Sequence, residues 1–485
     1  LKNYVILPFN YNGDSYTDLF MYTYEDGVST WHVRKGDGNG HFSIVDQYSG
    51  TINAYTIFVI DKDGDGQDEI GFVSNLPDGN FAFKCLRFTG NSASTIGIAT
   101  SSSSHFLAGD FIGKGGTQLI FIHKSGNNWS VTNSSNSASF SVPKNSHVSV
   151  CDFNGNGKSD IHVVHGSTID IYEYDNNGGV FKKILDAAST PKASKKEFFC
   201  DLNGDGKSDF IFYSDYKWYQ MMSTGTGYTN GAELPFYADM NSSGGPKFDI
   251  MCCDLNGDGK DDVAQPYFDF EQQKLTMHVY FSRGYSGGSF NYSHTSFIRA
   301  DIKGIFTSHY RFADLNGDGK NEMFYTGDIY TTPVLVNFSE KRAHDLVTSF
   351  TNGLGRTSSL EYAFVSTPSI GYLGYEARKL QLPLVSKLKE PDGLGGFNQT
   401  LFTYGKAVFD FERRQFLGFL NYRTLYNGIN SQMLFKYNAV HRHLNLEQTI
   451  AFLNANPRDL RSGYIVDPSY WDTERVSFHH HEVFN

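Results

Sequence analysis

A nine-residue pattern of the form D-x-N-G-D-G-x-x-D returns seven times in this chain and constrains its fold more than any other feature. The copies begin at Asn10 (NYNGDSYTD), Asp61 (DKDGDGQDE), Asp110 (DFIGKGGTQ), Asp152 (DFNGNGKSD), Asp201 (DLNGDGKSD), Asp254 (DLNGDGKDD) and Asp314 (DLNGDGKNE). Their starts lie 51, 49, 42, 49, 53 and 60 residues apart. A fixed period of this size is the mark of a repeat architecture, in which each unit packs on its neighbours.

Between the copies a second feature recurs, a Gly-rich turn before an aromatic, as in DGNF, NNGGVF, TGTGY and SGGSF. Residues around these turns alternate apolar and polar, as in STWHVRKG and KLTMHVYFSRG. Period-two alternation closed by a tight turn predicts half-buried strands and hairpins. No stretch carries the i, i+3, i+4 spacing of a helical solenoid. Aromatic residues make up 15% of the chain, with 49 Gly against 13 Pro, a balance that favours strands and turns. Units of 40 to 50 residues with about four short strands are the blades of a β-propeller. The expectation is an all-β chain: a seven-bladed β-propeller over residues 1–345 and a β-rich domain over 346–485.

The repeated loop has a chemistry of its own. Acids or amides at positions 1, 3, 5 and 9 aim oxygens at one centre, and calcium takes ~6–8 oxygens at ~2.3–2.6 Å. Gly at positions 4 and 6 permits the positive φ of a tight wrap. The all-oxygen donor set and loose geometry suit magnesium or zinc less well. Full sites are expected at Asp61, Asp63, Asp65 and Glu69; at Asp201, Asn203, Asp205 and Asp209; at Asp254, Asn256, Asp258 and Asp262; and at Asp314, Asn316, Asp318 and Glu322. Asp152, Asn154, Asn156 and Asp160 make a weaker site, and Asn10, Asn12, Asp14 and Asp18 a weaker one still. The third copy has Ile112, Lys114 and Gln118 at ligand positions and is not expected to bind, with the Lys114 ammonium standing in for a metal. Up to six Ca2+ ions are therefore expected.

Those six loops hold 17 carboxylates at positions 1, 3, 5 and 9. Six calcium ions would carry twelve positive charges against a net charge of −11, which accounts for the acidic composition without a cationic partner. A site copied in blade after blade, each time ahead of an apolar strand, reads as a staple rather than a catalytic centre.

Other classes are excluded or left open. An acidic chain with pI ≈ 5.8 lacks the basic patch of a nucleic-acid surface. No apolar run approaches the ~18 residues of a membrane span. The chain begins with Leu and reads as an excised piece of something longer. Cys151, Cys200 and Cys253 each stand one residue before a loop, and with five cysteines and no C-x-x-C pair they read as small buried residues rather than a disulfide framework. His162 and His165 alternate along a strand and read as packing or surface residues. No nucleophile elbow, H-E-x-x-H or P-loop occurs, so no catalytic residue is named. Catalytic groups gathered from several blades at one propeller mouth would leave no local signature.

The decapeptides resemble FG-GAP/VCBS repeats, the calcium-loop blades of integrin α-subunit propellers and of many bacterial secreted or surface proteins. After Glu322 the rhythm stops, and SFTNGLGRTSSLEYAF (349–364), LPLVSKLKEPDGLGG (382–396) and LFTYGKAVFDFERRQFLGFLNYRTLYNG (401–428) take its place. Arg413 and Arg414, flanked by Phe411, Phe416 and Phe419, read as a charged edge over an aromatic core. In order, the N-G-L-G start, the L-P-x-V segment, the D-G turn, the T-Y-G-K-A stretch and R-R-Q-F-L-G-F resemble the region after the propeller in B components of insecticidal toxin complexes. Related RHS-type and virulence-plasmid proteins share it, with Gln415 here where that family usually has a small residue.

In that family a propeller and an RHS β-shell enclose a toxic payload and gate its release into a pore. The resemblance implies a non-enzymatic gating or docking module of a secreted or cell-surface bacterial protein, whose partner is a toxin-complex pore or shell component. The alternative is a surface adhesion or glycan-binding propeller that meets a receptor or glycan, with a propeller lyase third.

Overall fold

The computed structural model describes residues 5–13, 16–25, 28–38, 41–54, 56–90, 92–134, 137–190, 194, 196–237, 249–269, 274–286, 288–299, 310–315, 320–325, 334–336, 347–371, 376–410, 415–426, 429–438, 443–453 and 477–479. All regular structure among them is β. The chain divides into two compact units, Leu1–Arg342 and Ala343–Asn485.

Unit 1 is a succession of antiparallel sheets, each a meander in chain order. The first sheet is β1 (Val5–Phe9), β2 (Asp18–Glu25), β3 (Val28–Gly36) and β4 (Phe42–Ile52); the second is β5 (Thr56–Ile60), β6 (Glu69–Asn75), β7 (Phe81–Thr89) and β8 (Ser92–Ser101). The third is β9 (Phe106–Gly109), β10 (Gln118–His123), β11 (Asn128–Asn133) and β12 (Ser139–Pro143); the fourth is β13 (His147–Cys151), β14 (Asp160–His165), β15 (Thr168–Asp175) and β16 (Val180–Ser189). The fifth is β17 (Lys196–Cys200), β18 (Asp209–Ser214), β19 (Lys217–Met221) and β20 (Ala232–Leu234); the sixth is β21 (Met251–Cys253), β22 (Asp262–Asp269), β23 (Lys274–Ser286) and β24 (Ser289–Arg299). The seventh has three described strands, β25 (Tyr310–Ala313), β26 (Glu322–Tyr325) and β27 (Val334–Val336). Each acidic loop joins the first strand of a sheet to its second.

The sheets pack face to face around a ring, and the sequence shows why. Phe210, Ile211, Phe212 and Tyr213 on β18 are all at 0% exposure. Alternate side chains leave opposite faces of a strand, so a continuous apolar run needs a covered sheet on both sides. Phe210 and Phe212 enter a core with Cys151, Phe153 and Val164 of the fourth repeat. Ile211 and Tyr213 enter another with Val263 and Tyr280 of the sixth. Separate cores likewise join the first sheet to the second through Phe20, Trp31 and Phe72, and the third to the fourth through Ile120 and Ile161. The last core closes the ring, bringing Ile6, Leu19 and Met21 of the first sheet against Ala313 and Leu315 of the seventh.

One departure from the sequence reading concerns cysteine. Cys200 is joined to Cys252 by a disulfide, with Cα atoms 5.7 Å apart. Neighbouring sheets stand side by side in a ring although their strands lie far apart in sequence. Cys200 of β17 therefore meets Cys252 of β21, one residue before the position equivalent to its own, a pairing that spacing alone does not give. Cys85 and Cys151 are free and buried.

Unit 2 is one eight-stranded sheet in chain order: β28 (Ser349–Thr351), β29 (Thr357–Gly371), β30 (Glu376–Pro391), β31 (Phe397–Asp410), β32 (Gln415–Tyr426), β33 (Ile429–Asn438), β34 (His443–Leu453) and β35 (Ser477–His479). Two turns of like construction lie at one end of it. Asn352 Oδ1 accepts from the N–H groups of Leu354 and Arg356, and Asp392 Oδ1 from those of Leu394 and Gly396.

Candidate metal loops

The second to sixth loops are each built on their first residue, with Asp110 accepting from Lys114 and Gly115 and Asp152 from Asn156 and Gly157. The Asp61 carboxylate accepts from the N–H groups of Gly64 (2.7 Å), Asp65 (3.2 Å) and Gly66 (3.0 Å). Asp201 does the same with Gly204, Asp205 and Gly206, and Asp254 with Gly257, Asp258 and Gly259. An Asp side chain that caps its own turn in this way competes well with regular structure. The wrap needs positive φ at positions 4 and 6, and Gly204 and Gly206 sit at 74° and 78°. At Gly64 a Cβ would also lie 2.8 Å from the backbone N of Gly116 in the next loop, so only glycine fits.

The ninth residue is the buried anchor. Asp209 is fully buried; one oxygen accepts from Leu202 N at 3.1 Å and the other from Ser223 N at 2.9 Å. Asp262 repeats this with Leu255 and Ser282, and Asp18 with Tyr11 and Gly36. Glu69, Asp160 and Glu322 accept from Lys62, Phe153 and Leu315. In the third copy Gln118 Oε1 takes the N–H of Ile112 instead. Burial pushes Asp160 and Asp262 up to about 8, and Asp61 and Asp209 up to about 7. Negative charge gathered under a low-dielectric roof favours either a proton or a cation.

The fit to a cation rests on the donor atoms. Asp61, Asp63 and Asp65 each bring a carboxylate oxygen within 4.8 Å of the others, the one such group among the described residues. In the fifth and sixth loops Asn203 and Asn256 each accept from the N–H two residues on, so their oxygens face the loop beside Asp205 and Asp258. In the fourth loop the amides of Asn154 and Asn156 donate to Glu173. Asn10, Asn12 and Asp18 lie in the first loop, where Asn10 is buried at 5% exposure, whereas Asp14 lies outside the described residues, as do Asn316 and Asp318 of the seventh. Arg413, Arg414 and Phe411 are also outside them. His162 is a packing residue, its buried ring against Phe199 and Phe210, and burial pushes its pKa down to about 3.

Three positions escape the ligand pattern. Residue 8 of each loop clasps the preceding loop. Its N–H donates to the position-1 carbonyl at 2.6 Å for Asp68 to Asn10 and Thr117 to Asp61, at 2.8 Å for Ser159 to Asp110, Ser208 to Asp152 and Asp261 to Asp201, and at 3.0 Å for Asn321 to Asp254. Thr17 Oγ1 donates to the Asp314 carbonyl at 2.6 Å and completes the circle. The signal was in plain view: residue 8 is Thr, Asp, Thr, Ser, Ser, Asp or Asn, always short and polar. The other two are Arg87 and Glu173, which reach the second and fourth loops from the third strand of their sheets.

Two families match segments of the chain. Residues 201–265 match the FG-GAP-like repeat. Residues 284–433 match the insecticide toxin TcdB middle/N-terminal region. That second segment starts in β23 of the sixth sheet and runs into β33, so it joins the end of the repeats to the long-stranded sheet. No curated protein matches the sequence. Among solved structures, the chain is similar to a Tc holotoxin pore of Photorhabdus luminescens, with 15% identity, a TM-score of 0.49, and 93% of this chain and 24% of that one covered. It is also similar to an Agrocybe aegerita lectin that recognises non-reducing terminal N-acetylglucosamine, with 15% identity, TM-score 0.46 and coverages of 61% and 80%. A TcdB2-TccC3 crystal structure gives 11% identity, TM-score 0.42 and coverages of 86% and 24%. The chain thus spans about a quarter of the length of the Tc toxin chains it matches. Among the described residues no helix is long and apolar enough to cross a membrane.

Proposed function

We propose that this chain is a non-enzymatic structural module of a secreted toxin-complex or RHS-type protein, with calcium ions stapling its propeller loops. The observation that carries the reading is the toxin-region match over residues 284–433, which begins inside the propeller and ends in the long-stranded sheet. Such a module docks on other proteins, and the end of that sheet offers a surface for it. Leu354 and Leu394, at the tips of the two like-built turns, are 84% and 93% exposed, and Phe397 is 60% exposed. Exposed apolar side chains of this size mark contact surfaces.

When bound, calcium would supply the positive charge that draws the loop oxygens together. The donors available are those at positions 1, 3 and 5 of the fifth and sixth loops, Asp201, Asn203, Asp205, Asp254, Asn256 and Asp258. The backbone hydrogen bonds of positions 1 and 9 already hold those loops in shape.

A second reading, recognition of a neutral glycan, is favoured by one cleft of about 440 Å³ beside the sixth sheet, lined by Pro235, Phe236, Tyr237, Tyr280, Tyr292 and His294. Its lining is aromatic and hydroxylated and holds no carboxylate, lysine or arginine, a surface on which a sugar ring stacks. Gel filtration of the purified chain mixed with a toxin-complex pore component tests the first reading. A stable co-eluting complex is expected. Absence of a complex, together with saccharide binding that Tyr292→Ala abolishes, would overturn it in favour of the second.

A further inference from the structure

The second loop carries the most carboxylates, yet it already holds a cation. Arg87 Nε donates to Glu69 Oε1 at 2.8 Å, and Arg87 Nη2 pairs with Asp63 Oδ2. The guanidinium therefore bridges position 3 and position 9 of the loop. Glu69 is 3% exposed, and its other oxygen is taken by Lys62 N. Asp61 already accepts three backbone N–H groups.

Strand register shows that the fourth, fifth and sixth loops are not met in this way. Ile70 pairs with Leu86, Ile161 with Tyr172, Phe210 with Met221 and Val263 with Tyr280. The next residue on the third strand is then Arg87, Glu173, Met222 and Phe281 in turn. Of these four loops only the second receives a cation there, and the fourth, with fewest carboxylates among them, receives an anion. In the first loop, where Leu19 pairs with Arg34, the residue at this register is Lys35. Position 7 shows the complementary pattern. Lys158, Lys207 and Lys260 fill it in the fourth, fifth and sixth loops, and Gln67 in the second. Those lysines stand at the loop margin, Lys207 2.8 Å from Asp205 and Lys260 3.5 Å from Asp258, and bridge no position-3 to position-9 pair. An arginine fork fixed between two carboxylates is a better-organised counter-ion than an ammonium on a flexible stem.

We propose that Arg87 is the resident cation of the second loop, which excludes calcium from the loop richest in carboxylates and leaves the fifth and sixth loops as the tighter calcium sites. The inference rests on the calcium reading above. A fixed positive charge ~5 Å from a divalent ion weakens its binding by at least about tenfold even at a water-like dielectric constant. Removing that charge while keeping the length of the stem should open the site.

Calorimetric calcium titration of the wild-type chain, Arg87→Met, Arg87→Lys and Asp63→Asn tests this by stoichiometry. Arg87→Met is expected to bind one ion more than wild type, and Arg87→Lys none more. Asp63→Asn should leave the wild-type stoichiometry unchanged and cancel the gain when combined with Arg87→Met. Loss of one ion in Asp63→Asn alone, or no gain in a folded Arg87→Met, would overturn the proposal. If Arg87→Met does not fold, Asp63→Asn in the wild-type background still decides it. A wild-type chain that takes up no calcium in any loop refutes the stapling reading instead, and a gained ion in Arg87→Met would then stand by itself.

Discussion

Glu197 on β17 shows how burial rather than charge partners sets the properties of single residues here. Burial pushes its carboxyl up to about 7, and its Oε1 has no hydrogen-bond partner. Tyr228, whose hydroxyl is also unpartnered, lies in the same buried region. A folded-state pKa above the unfolded one means that the folded chain keeps the proton longer. The group's contribution is therefore fully present below the ordinary carboxylate range and is lost as pH rises towards 7. The span amounts to roughly 3 kcal/mol at most, less where water reaches the group. Urea unfolding of the wild type and Glu197→Gln at pH 4.5 and 7.5 should show the wild type losing stability relative to the variant at the higher pH. Equal differences at both pH values would refute the assignment.

Among the elements, the acidic loop works as a connector before it works as a ligand set. Position 1 caps the turn, position 9 anchors it to the second strand, and position 8 fastens it to the previous loop. Asp261 does the last job twice: its N–H donates to the Asp201 carbonyl, and its Oδ2 accepts from Asp201 N at 2.7 Å. Asp261→Ala leaves the Asp201 N–H without its acceptor, which costs about 1–3 kcal/mol for a buried group. Asp261→Asn keeps an acceptor oxygen and should recover most of that loss. Denaturation midpoints of the two variants check this, and an alanine variant as stable as wild type would remove position 8 from the ring. The sequence pattern revealed positions 1, 3, 5 and 9 because oxygen-bearing residues at alternating spacing stand out. Between the second and seventh loops position 8 makes its contact 49 to 67 residues away, in the previous repeat, and that partner is invisible along the chain.

For the molecule as a whole, the ring makes local charge a global matter. Every sheet is buried on two faces by its neighbours, and the first is closed on the seventh by Leu19 and Leu315 as well as by Thr17. Loosening one loop strains the interfaces on both sides, so calcium bound at any of them should raise the unfolding temperature of the whole of unit 1. Ligand held at a hundred times its dissociation constant adds about 2.7 kcal/mol per site. Differential scanning calorimetry in millimolar calcium against chelator is expected to show a clear upward shift. No shift would refute the stapling reading.

The sequence alone determined the repeat, its all-β character, the glycine-dependent wrap of each loop and the change of pattern after Glu322. Each is written in local spacing, where backbone geometry and side-chain type act within a few residues. The tertiary structure decided the contacts that ring closure creates. It set Cys200 beside Cys252, sent Phe210 and Ile211 into different cores, and brought Arg87 onto Asp63 and Glu69. These contacts depend on strand register and on which sheet meets which, so no motif along the chain could announce them. The most acidic loop was thus legible as a cage for a cation, but only the fold showed that the chain supplies one itself.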